Sequence, residues 1–209
     1  VAGESGEVEC NVYGGEFTSI SKVAAFVGNS NDGGDKEEAL VHIYGGSFIS
    51  QSDDKEAVHV DEALGGLEIA GGTFSSDVSD YLAKGFSLIA NSDGTFGVDR
   101  LNESNAAAVV NGTYYGTLAE AVGAAQDGQT VTVLKDLATA PVTTSAGITL
   151  DLDGHTLRIV SDTSGVAYGL QFTAGTGVVK NGTVIDMRGE GKTAQNMIAL
   201  NVTGATKVT

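Results

Sequence analysis

The sequence contains one cysteine, one proline and no tryptophan. A single cysteine excludes any disulfide within the chain, so Cys10 is expected to be a small buried hydrophobic residue in a strand. The scarcity of proline, without a glycine-X-Y period, excludes a collagen-like or proline-rich segment. No apolar run approaches the ~18 residues of a membrane-spanning helix, so no membrane insertion is expected.

Basic residues are also scarce. The chain has 11 Lys and Arg against 27 Asp and Glu, which gives a formal net charge of −16. Nucleic acid is therefore not an expected partner, because binding requires basic side chains that neutralise phosphates. An anionic membrane surface is a poor partner for the same reason. The acidic surface is interpreted as favouring solubility, and a cation-binding face is the alternative.

Glycine, in contrast, is abundant, with 30 residues out of 209. Three segments share an apolar strand, a glycine pair, a polar residue and a phenylalanine: "NVYGGEFTS" (11–19), "VHIYGGSFIS" (41–50) and "LEIAGGTFSS" (67–76). The glycine pairs begin 31 and 26 residues apart. A repeat of this length built from short strands predicts a parallel β-helix, in which each coil buries its apolar face on the next.

The two-residue period of a strand then assigns the side chains to two faces. Val41 and Ile43 are expected to point inward, and His42 and Tyr44 outward. The phenylalanines that follow the glycine pairs are expected to stack in the core; these are Phe17, Phe48 and Phe74.

The repeats lie within residues 1–98, which are expected to form β-helix coils with a cap at about 77–98. In that cap, "SDVSDYLA" predicts a short helix, and "FSLIA" and "TFGV" flank the turn "NSDG" as in a hairpin. A cap is needed because the last coil of a solenoid leaves its core open. Residues 99–108 are polar and then alanine-rich, and they predict a junction.

Residues 109–209 are expected to start a second β-helix, truncated at its C-terminus. A hairpin with an Asn-Gly turn in "VVNGTYY" and a helix at 117–127 would cap its first coil. Thr117 and Glu120 form the T-x-x-E pattern of a capping box, and Gly128 is expected to end the helix. The chain begins without methionine and ends in mid-pattern, so we interpret it as a piece of a longer protein.

Several of these segments resemble a known group of proteins. "TLAEAVGAAQDGQTVTVLKDL", "ITLDLDGHTL" and "VVKNGTV" resemble the N-terminal part of right-handed parallel β-helix proteins of the pectate-lyase-like superfamily. More narrowly, they are similar to non-catalytic segments of large surface proteins of Gram-positive gut bacteria. The resemblance covers about 65–209 by motif and 1–64 through the repeat. It implies an all-β, right-handed β-helix that is secreted or displayed on the bacterial cell surface, joined to other domains of a longer chain.

Enzymes of this superfamily act on acidic polysaccharides, and some use a calcium ion held by carboxylates with a basic residue nearby. If the chain is an enzyme, the candidates are Asp151, Asp153, Asp186 and Arg188, which are expected to face outward on successive coils. Asp151, Asp153 and Asp186 are also the candidate calcium ligands. The alternative is structural, because "DLDGHTL" also matches a strand that ends in a turn. No cofactor is otherwise expected.

Exposed tyrosines are the candidate binding residues, since aromatic rings form platforms for sugars. Tyr13 and Tyr44 occupy equivalent repeat positions and are expected to stack on one outward face, and the pair Tyr114 and Tyr115 is a second candidate. The alternative role is cross-strand stabilisation. Two further metal candidates are a His42–His59 pair, with Asp61 or Glu62 as an additional ligand, and the acidic loop 29–35.

The first functional interpretation is a non-catalytic, adhesin-like extracellular module that acts as a stalk or as a surface for a glycan or a host-surface protein. The first alternative is a polysaccharide lyase or glycoside hydrolase acting on acidic polysaccharide. The second alternative is a phage tailspike-like segment, which predicts a trimer.

Overall fold

The computed structural model describes residues 8–28, 39–60, 65–160, 168–188, 198–203 and 207–208. Its strands form about six turns of β-solenoid with one α-helix. This confirms the predicted all-β, parallel β-helix class. The chain divides into two compact units, Val1–Arg100 and Leu101–Thr209. In the described ranges no helix is long and apolar enough to cross a membrane.

The first unit consists of short strands that recur in each coil. They are β1 (Val8–Val12), β2 (Glu16–Ser19), β3 (Ala25–Val27), β4 (Ala39–Ile43), β5 (Ser47–Ser50), β6 (Val58–Val60), β7 (Gly65–Ile69), β8 (Gly72–Phe74), β9 (Phe86–Ala90) and β10 (Phe96–Arg100), with a 3-10 turn at Ser79–Tyr81. Strands β1, β4 and β7 form one parallel sheet, β2, β5 and β8 a second, and β3 and β6 a third. Equivalent strands of successive coils are therefore hydrogen-bonded neighbours.

The phenylalanines of the repeat form the predicted stack. The ring of Phe48 lies 4.7 Å from that of Phe17 and 5.3 Å from that of Phe74, with interplanar angles of 11° and 6°. Strands β2, β5 and β8 pair in parallel with these three residues in register, so each ring lies over the ring of the next coil. Phe48 and Phe74 are buried in the core of this unit as expected, whereas Phe17 is 38% exposed because its strand lies at the edge of the sheet.

The glycine pairs perform two separate tasks at the corner between two sheets. The second glycine of each pair has a φ of +116°, a left-handed conformation that residues with a Cβ rarely adopt; these are Gly15, Gly46 and Gly72. The first glycine permits close approach of successive coils, since a Cβ on Gly71 would collide with the carbonyl oxygen of Tyr44. At Gly45 the same Cβ would lie 3.0 Å from the carbonyl oxygen of Tyr13.

The end of the first unit is closed by an antiparallel hairpin, as predicted. Strand β10 pairs antiparallel with both β8 and β9, so the hairpin extends the sheet formed by β2, β5 and β8. The predicted short helix is only a 3-10 turn, Ser79–Tyr81. After it, Leu82 forms a parallel bridge with Ile69 and packs against the core.

Cys10 differs from its expected environment, because it is exposed rather than buried. It is in register with Val41, which in turn is in register with Leu67, so it occupies an inward column of the solenoid. Strand β1, however, is the edge strand of its sheet, with β4 as its only sheet neighbour among the described strands. The inward side of an edge strand is left uncovered where no further coil packs against it.

The second unit repeats this construction with a different first coil. Its strands are β11 (Ala108–Val110), β12 (Thr113–Tyr115), β13 (Thr130–Val133), β14 (Leu137–Thr139), β15 (Val142–Thr144), β16 (Thr149–Asp151), β17 (Thr156–Ile159), β18 (Tyr168–Phe172), β19 (Thr176–Lys180), β20 (Thr183–Asp186), β21 (Ile198–Val202) and β22 (Lys207–Val208), and its helix is α1 (Leu118–Ala124). Strands β13, β16, β19 and β22 form a parallel series, as do β14, β17 and β20, and β15, β18 and β21.

Helix α1 and the β11–β12 hairpin cover the first coil of this unit. The predicted capping box is present, with the Thr117 side chain accepting from the Glu120 backbone N–H and the Glu120 carboxylate accepting from the Thr117 N–H. The helix buries Leu118, Ala121 and Val122 in the core. It ends at Ala124, before the predicted Gly128, which instead makes a turn into β13 with a φ of +80°.

Residues 99–108, interpreted from the sequence as a junction, contribute to both units. The segment contains the last residues of β10 and the first residue of β11. Leu101 and Ala106–Ala108 are buried. The Ala107 N–H donates to the Tyr115 carbonyl at 2.9 Å.

The glycine corner can be tested by comparing equivalent positions of two coils. We expect Gly71→Ala to destabilise the first unit by about 1–3 kcal/mol, because its Cβ meets a backbone carbonyl that cannot move without shifting a coil. Gly14→Ala, at a position with no atom within 4 Å of its Cβ, is the matched control and should change the free energy of unfolding by less than about 0.5 kcal/mol. Urea-dependent hydrogen exchange of peptides from β4 to β8 measures both. Equal effects would contradict the assigned role of Gly71.

Candidate functional site

Tyr13 and Tyr44 form a stacked pair on the outer surface of the first unit. Their ring centroids are 5.0 Å apart with an interplanar angle of 10°, as the repeat predicts. Each tyrosine directly follows a strand of the same sheet, and the Tyr44 N–H donates to the Val12 carbonyl at 2.8 Å. Tyr13 is 76% exposed and Tyr44 is 46% exposed. The pair therefore presents a large apolar area to solvent in a fixed orientation.

Polar side chains flank this pair on the same face of the sheet. Asn11, His42 and Glu68 are in register on β1, β4 and β7. His42 Nδ1 lies 3.2 Å from Glu68 Oε2, and its ring stacks with that of Tyr44 at 6.2 Å. The Asn11 amide donates to Glu9 at 3.0 Å. We call this surface the tyrosine face; it consists of Glu9, Asn11, Tyr13, His42, Tyr44 and Glu68.

Tyr114 and Tyr115 belong to the second unit and do not form a comparable platform. They lie in β12, in register with Val109 and Ala108 of β11, and both are half-buried. Tyr115 packs against the hydrophobic core. The four tyrosines predicted to bind therefore fall into two groups, of which only Tyr13 and Tyr44 form a stacked, exposed pair.

Asp151 faces outward, as predicted, but its partner one coil later is a lysine. Lys180 is in register with Asp151, and its Nζ lies 3.0 Å from Asp151 Oδ2. The carboxylate also accepts from the Asn181 amide at 3.0 Å and from the Asp153 N–H at 3.1 Å. Burial by itself would raise the pKa of Asp151, yet these donors together hold it below its ordinary value.

Asp153 forms part of the turn that follows β16. Its φ is +46°, and it is exposed next to Gly154. The Gly154 N–H donates to the Asn181 carbonyl, which joins this turn to the equivalent Asn-Gly turn of the next coil. The geometry agrees with the structural interpretation of "DLDGHTL" as a corner.

Asp186 and Arg188 lie in positions opposite to those expected. Asp186 is in register with the buried Ile159, so it faces the core, and the Arg188 side chain is only 1% exposed. The guanidinium binds the carboxylate through two contacts, Nε to Oδ1 at 2.8 Å and Nη2 to Oδ2 at 2.7 Å. It also donates to the carbonyls of Tyr168 and Ile198 on two other strands.

The hydrogen bonds from Arg188 lower the pKa of the Asp186 carboxyl below its ordinary value, against the opposing effect of burial. The same pairing raises the pKa of the Arg188 guanidinium. Both groups are therefore charged over the whole physiological range, and their interaction stabilises the last described coils. A group held in this way is not available as a base or as a free ligand.

The structure does not bring the aspartates together as the enzyme hypothesis requires. Asp151 lies at the end of β16 and Asp186 at the end of β20, in two different sheets. Asp151 pairs with Lys180, and Asp186 pairs with Arg188. Across the described ranges, no group of three His, Cys, Asp or Glu side chains is placed to hold a metal ion.

His42 and His59, the candidate pair of metal ligands, do not lie together. His42 lies in β4 beside Glu68, whereas His59 lies in β6, 2.8 Å from Glu56 and stacked with Phe26 at 5.7 Å. Strands β4 and β6 belong to different sheets. The additional ligands proposed for this pair, Asp61 and Glu62, and the acidic loop 29–35 fall outside the described residues.

One charged cluster was not predicted from the sequence. Asp136 accepts from the Thr156 N–H at 2.9 Å and lies near His155 and Arg158, at 3.7 and 3.6 Å. The Thr156 N–H is the main reason that the pKa of Asp136 is lowered, with further contributions from Arg158 and His155. Asp127 binds the Gly147 N–H at 2.7 Å, also 20 residues ahead. The common spacing of 20 residues is a signal that could have identified both aspartates as links between coils.

Comparisons with known proteins add no assignment: no protein-family model matches the chain, and no curated protein or solved structure is significantly similar to it.

The Asp186–Arg188 pair makes a prediction about stability. Arg188→Met leaves a carboxylate facing the core without its partner, so we expect a loss of about 3 kcal/mol at pH 7. Because the folded pKa of Asp186 is lowered, the pair stabilises the fold above the unfolded pKa of about 3.8, and this contribution declines as the pH falls through the folded value. The defect of the variant should therefore shrink at pH 3, where the carboxyl of the variant is neutral.

Arg158→Met is the control for this experiment, because Arg158 is exposed and its pair with Asp136 is solvent-screened. Urea unfolding at pH 7 and pH 3, followed by hydrogen exchange of peptides from β17 to β20, measures both variants. A defect of Arg188→Met that is independent of pH, or no larger than that of Arg158→Met, would contradict the assigned role of the pair.

Proposed function

We propose that the chain is a non-catalytic β-solenoid module that binds a glycan on the tyrosine face. The observation that carries this proposal is the exposed, stacked pair Tyr13–Tyr44 with hydrogen-bonding side chains beside it. A sugar ring has an apolar C–H face and polar edges. The tyrosine rings can pack against the C–H face, and Asn11, His42 and Glu68 can hydrogen-bond to the polar edges.

The rigidity of this face supports binding. Each tyrosine follows a strand that is hydrogen-bonded to its neighbour, and the two rings support each other. Few side-chain rotations are therefore left to be lost when a ligand binds, and a small loss of conformational entropy favours affinity. Extended, regularly spaced rows of side chains also suit an extended ligand with a repeating unit.

The charge of the molecule narrows the class of glycan. The tyrosine face carries Glu9 and Glu68, on a chain with a formal net charge of −16. Uronic-acid polymers would be repelled, so a neutral glycan is the expected ligand. Two of the candidate catalytic aspartates, Asp151 and Asp186, are held by Lys180 and Arg188, which supports a binding role over a lyase or hydrolase role.

The wider context of the proposal rests on the motif resemblance. We place the module with the pectate-lyase-like β-helix proteins, as an adhesin-like or stalk segment of a secreted or surface-displayed bacterial protein. A glycan, or a glycosylated host-surface protein, is the partner that suits such a location. Other domains of the same longer chain would provide attachment.

The proposal predicts that Tyr13→Ala and Tyr44→Ala each weaken binding of a neutral glycan by about tenfold, which corresponds to ~1.4 kcal/mol for the loss of one stacking ring. A glycan array followed by titration calorimetry measures the affinity. Phe26→Ala is the control, since Phe26 is another exposed aromatic residue of the first unit but lies outside the tyrosine face.

Two results would count against this proposal. One is equal affinity of the wild type and both tyrosine variants for every glycan bound. The other is the release of reducing ends or unsaturated products from an acidic polysaccharide by the purified chain, which would favour the enzyme alternative. In that case, loss of the activity in Asp151→Asn or Asp186→Asn would identify the residues responsible.

A further inference from the structure

The outward tyrosine column is one ring shorter than the phenylalanine column inside the same coils. Ala70 follows β7 as Tyr44 follows β4, and its N–H donates to the Ile43 carbonyl at 2.7 Å just as the Tyr44 N–H donates to Val12. In the same third coil, the inner column continues with Phe74, stacked on Phe48. The coil spacing is therefore unchanged, and only the outward ring is missing at Ala70.

The next position of this column is also occupied by a small residue, Ala83. Leu82 forms a parallel bridge with Ile69, and the Ala83 N–H donates to the Ile69 carbonyl at 2.8 Å. Two alanines thus follow two tyrosines in this column. Tyr44 stacks on Tyr13 on one side and on His42 of the strand that precedes it. The face of Tyr44 that points away from Tyr13 consequently lies over Ala70.

The backbone beside this open space is held in place. A Cβ on Gly71 would collide with the Tyr44 carbonyl oxygen, which shows how closely the third coil packs under the second at this point. The open space is therefore not created by separation of the coils. At the distance set by strand pairing, ~4.8 Å, the level of Ala70 leaves room for one six-membered ring beside Tyr44.

The polar group nearest to this space along the chain is Glu68. It lies in β7, two residues before Ala70, so it faces outward like Ala70, and it is about half exposed. His42 Nδ1, at 3.2 Å, holds one of its carboxylate oxygens. The other oxygen can accept a hydrogen bond from a hydroxyl group. A second carboxylate at this position would be repelled, whereas a hydroxyl-bearing neutral ring would not.

We propose that the space over Ala70 is a subsite for one neutral hexopyranose ring, which stacks on the open face of Tyr44 and donates a hydroxyl hydrogen bond to Glu68. The subsite rests on the proposed glycan-binding function and adds to it the position and the class of the sugar. In this arrangement the bound sugar extends the column that Tyr13 and Tyr44 begin. Tyr44 then contacts the ligand through its ring face, and not only through its edge.

The test fills the missing position with the residue that the repeat uses elsewhere. Ala70→Tyr should continue the stack and exclude the sugar, raising the Kd for the neutral probes cellohexaose and maltohexaose by tenfold or more. Ala70→Ser keeps the space open and should leave the Kd within twofold. Glu68→Gln should raise the Kd several-fold. Tetragalacturonate is the anionic comparison probe and should bind more weakly than either neutral probe.

A second measurement does not depend on any variant. In the wild type, nuclear Overhauser contacts between sugar C–H protons and both the Ala70 methyl and the Tyr44 ring are expected for the bound neutral probe. Their absence in a bound complex overturns the subsite, even if Ala70→Tyr fails to fold.

The remaining outcomes separate the subsite from the wider proposal. If Ala70→Tyr binds as tightly as the wild type while Tyr44→Ala loses binding, the subsite is wrong and the tyrosine face remains the binding surface. Tighter binding of tetragalacturonate than of the neutral probes overturns the assigned class of sugar. If no probe binds the wild type, the subsite and the glycan-binding function both fail.

Discussion

The structure depends on the in-register stacking of one coil on the next. Parallel pairing at the spacing of a β-sheet means that each residue lies directly against its equivalent in the neighbouring coil. Columns of like residues follow, such as the inward-pointing Phe17, Phe48 and Phe74 and the outward-pointing Tyr13 and Tyr44. The glycine pairs are a consequence of the same constraint, because a Cβ on Gly71 would force two coils apart. The side chain at each position therefore limits which residue can occupy the equivalent position of the adjacent coil.

The same constraint explains how the coils are covered. In both units an antiparallel hairpin is added to a parallel sheet, β9–β10 after β8 and β11–β12 before β13. A hairpin adds strands without adding a complete coil. One of its strands hydrogen-bonds to the edge strand of the sheet, and the stack of parallel strands ends there. Where the described strands have no such cover, burial falls: Phe17 on β2 is 38% exposed, whereas Phe48 on β5 is 2% exposed.

Features that depend on local chemistry and on the repeat could be predicted from the sequence. The phenylalanine stack, the tyrosine pair, the Asn111–Gly112 hairpin and the Thr117 capping box are of this kind. Arg188 could not be predicted, because alternation identifies two faces but not which one is inside. In "TVIDMR", Ile185 and Met187 are exposed while Asp186 and Arg188 face the core. That choice is set by the register with Ile159 on another strand, and by the backbone carbonyls that the guanidinium can reach.

The proposal of binding rather than catalysis has a physical reason in the stacked solenoid. Catalysis requires titratable groups that converge on one point and keep a shifted but accessible charge. Here the ladder joins the outward charges in complementary pairs, Asp151 with Lys180 and Asp136 with Arg158, so their charges are neutralised by neighbouring coils. The tyrosine face also carries a charged pair, His42 with Glu68, but it differs in presenting two uncharged rings that stack on each other. Under the proposed function, such a rigid pair of rings would hold a ligand without changing shape.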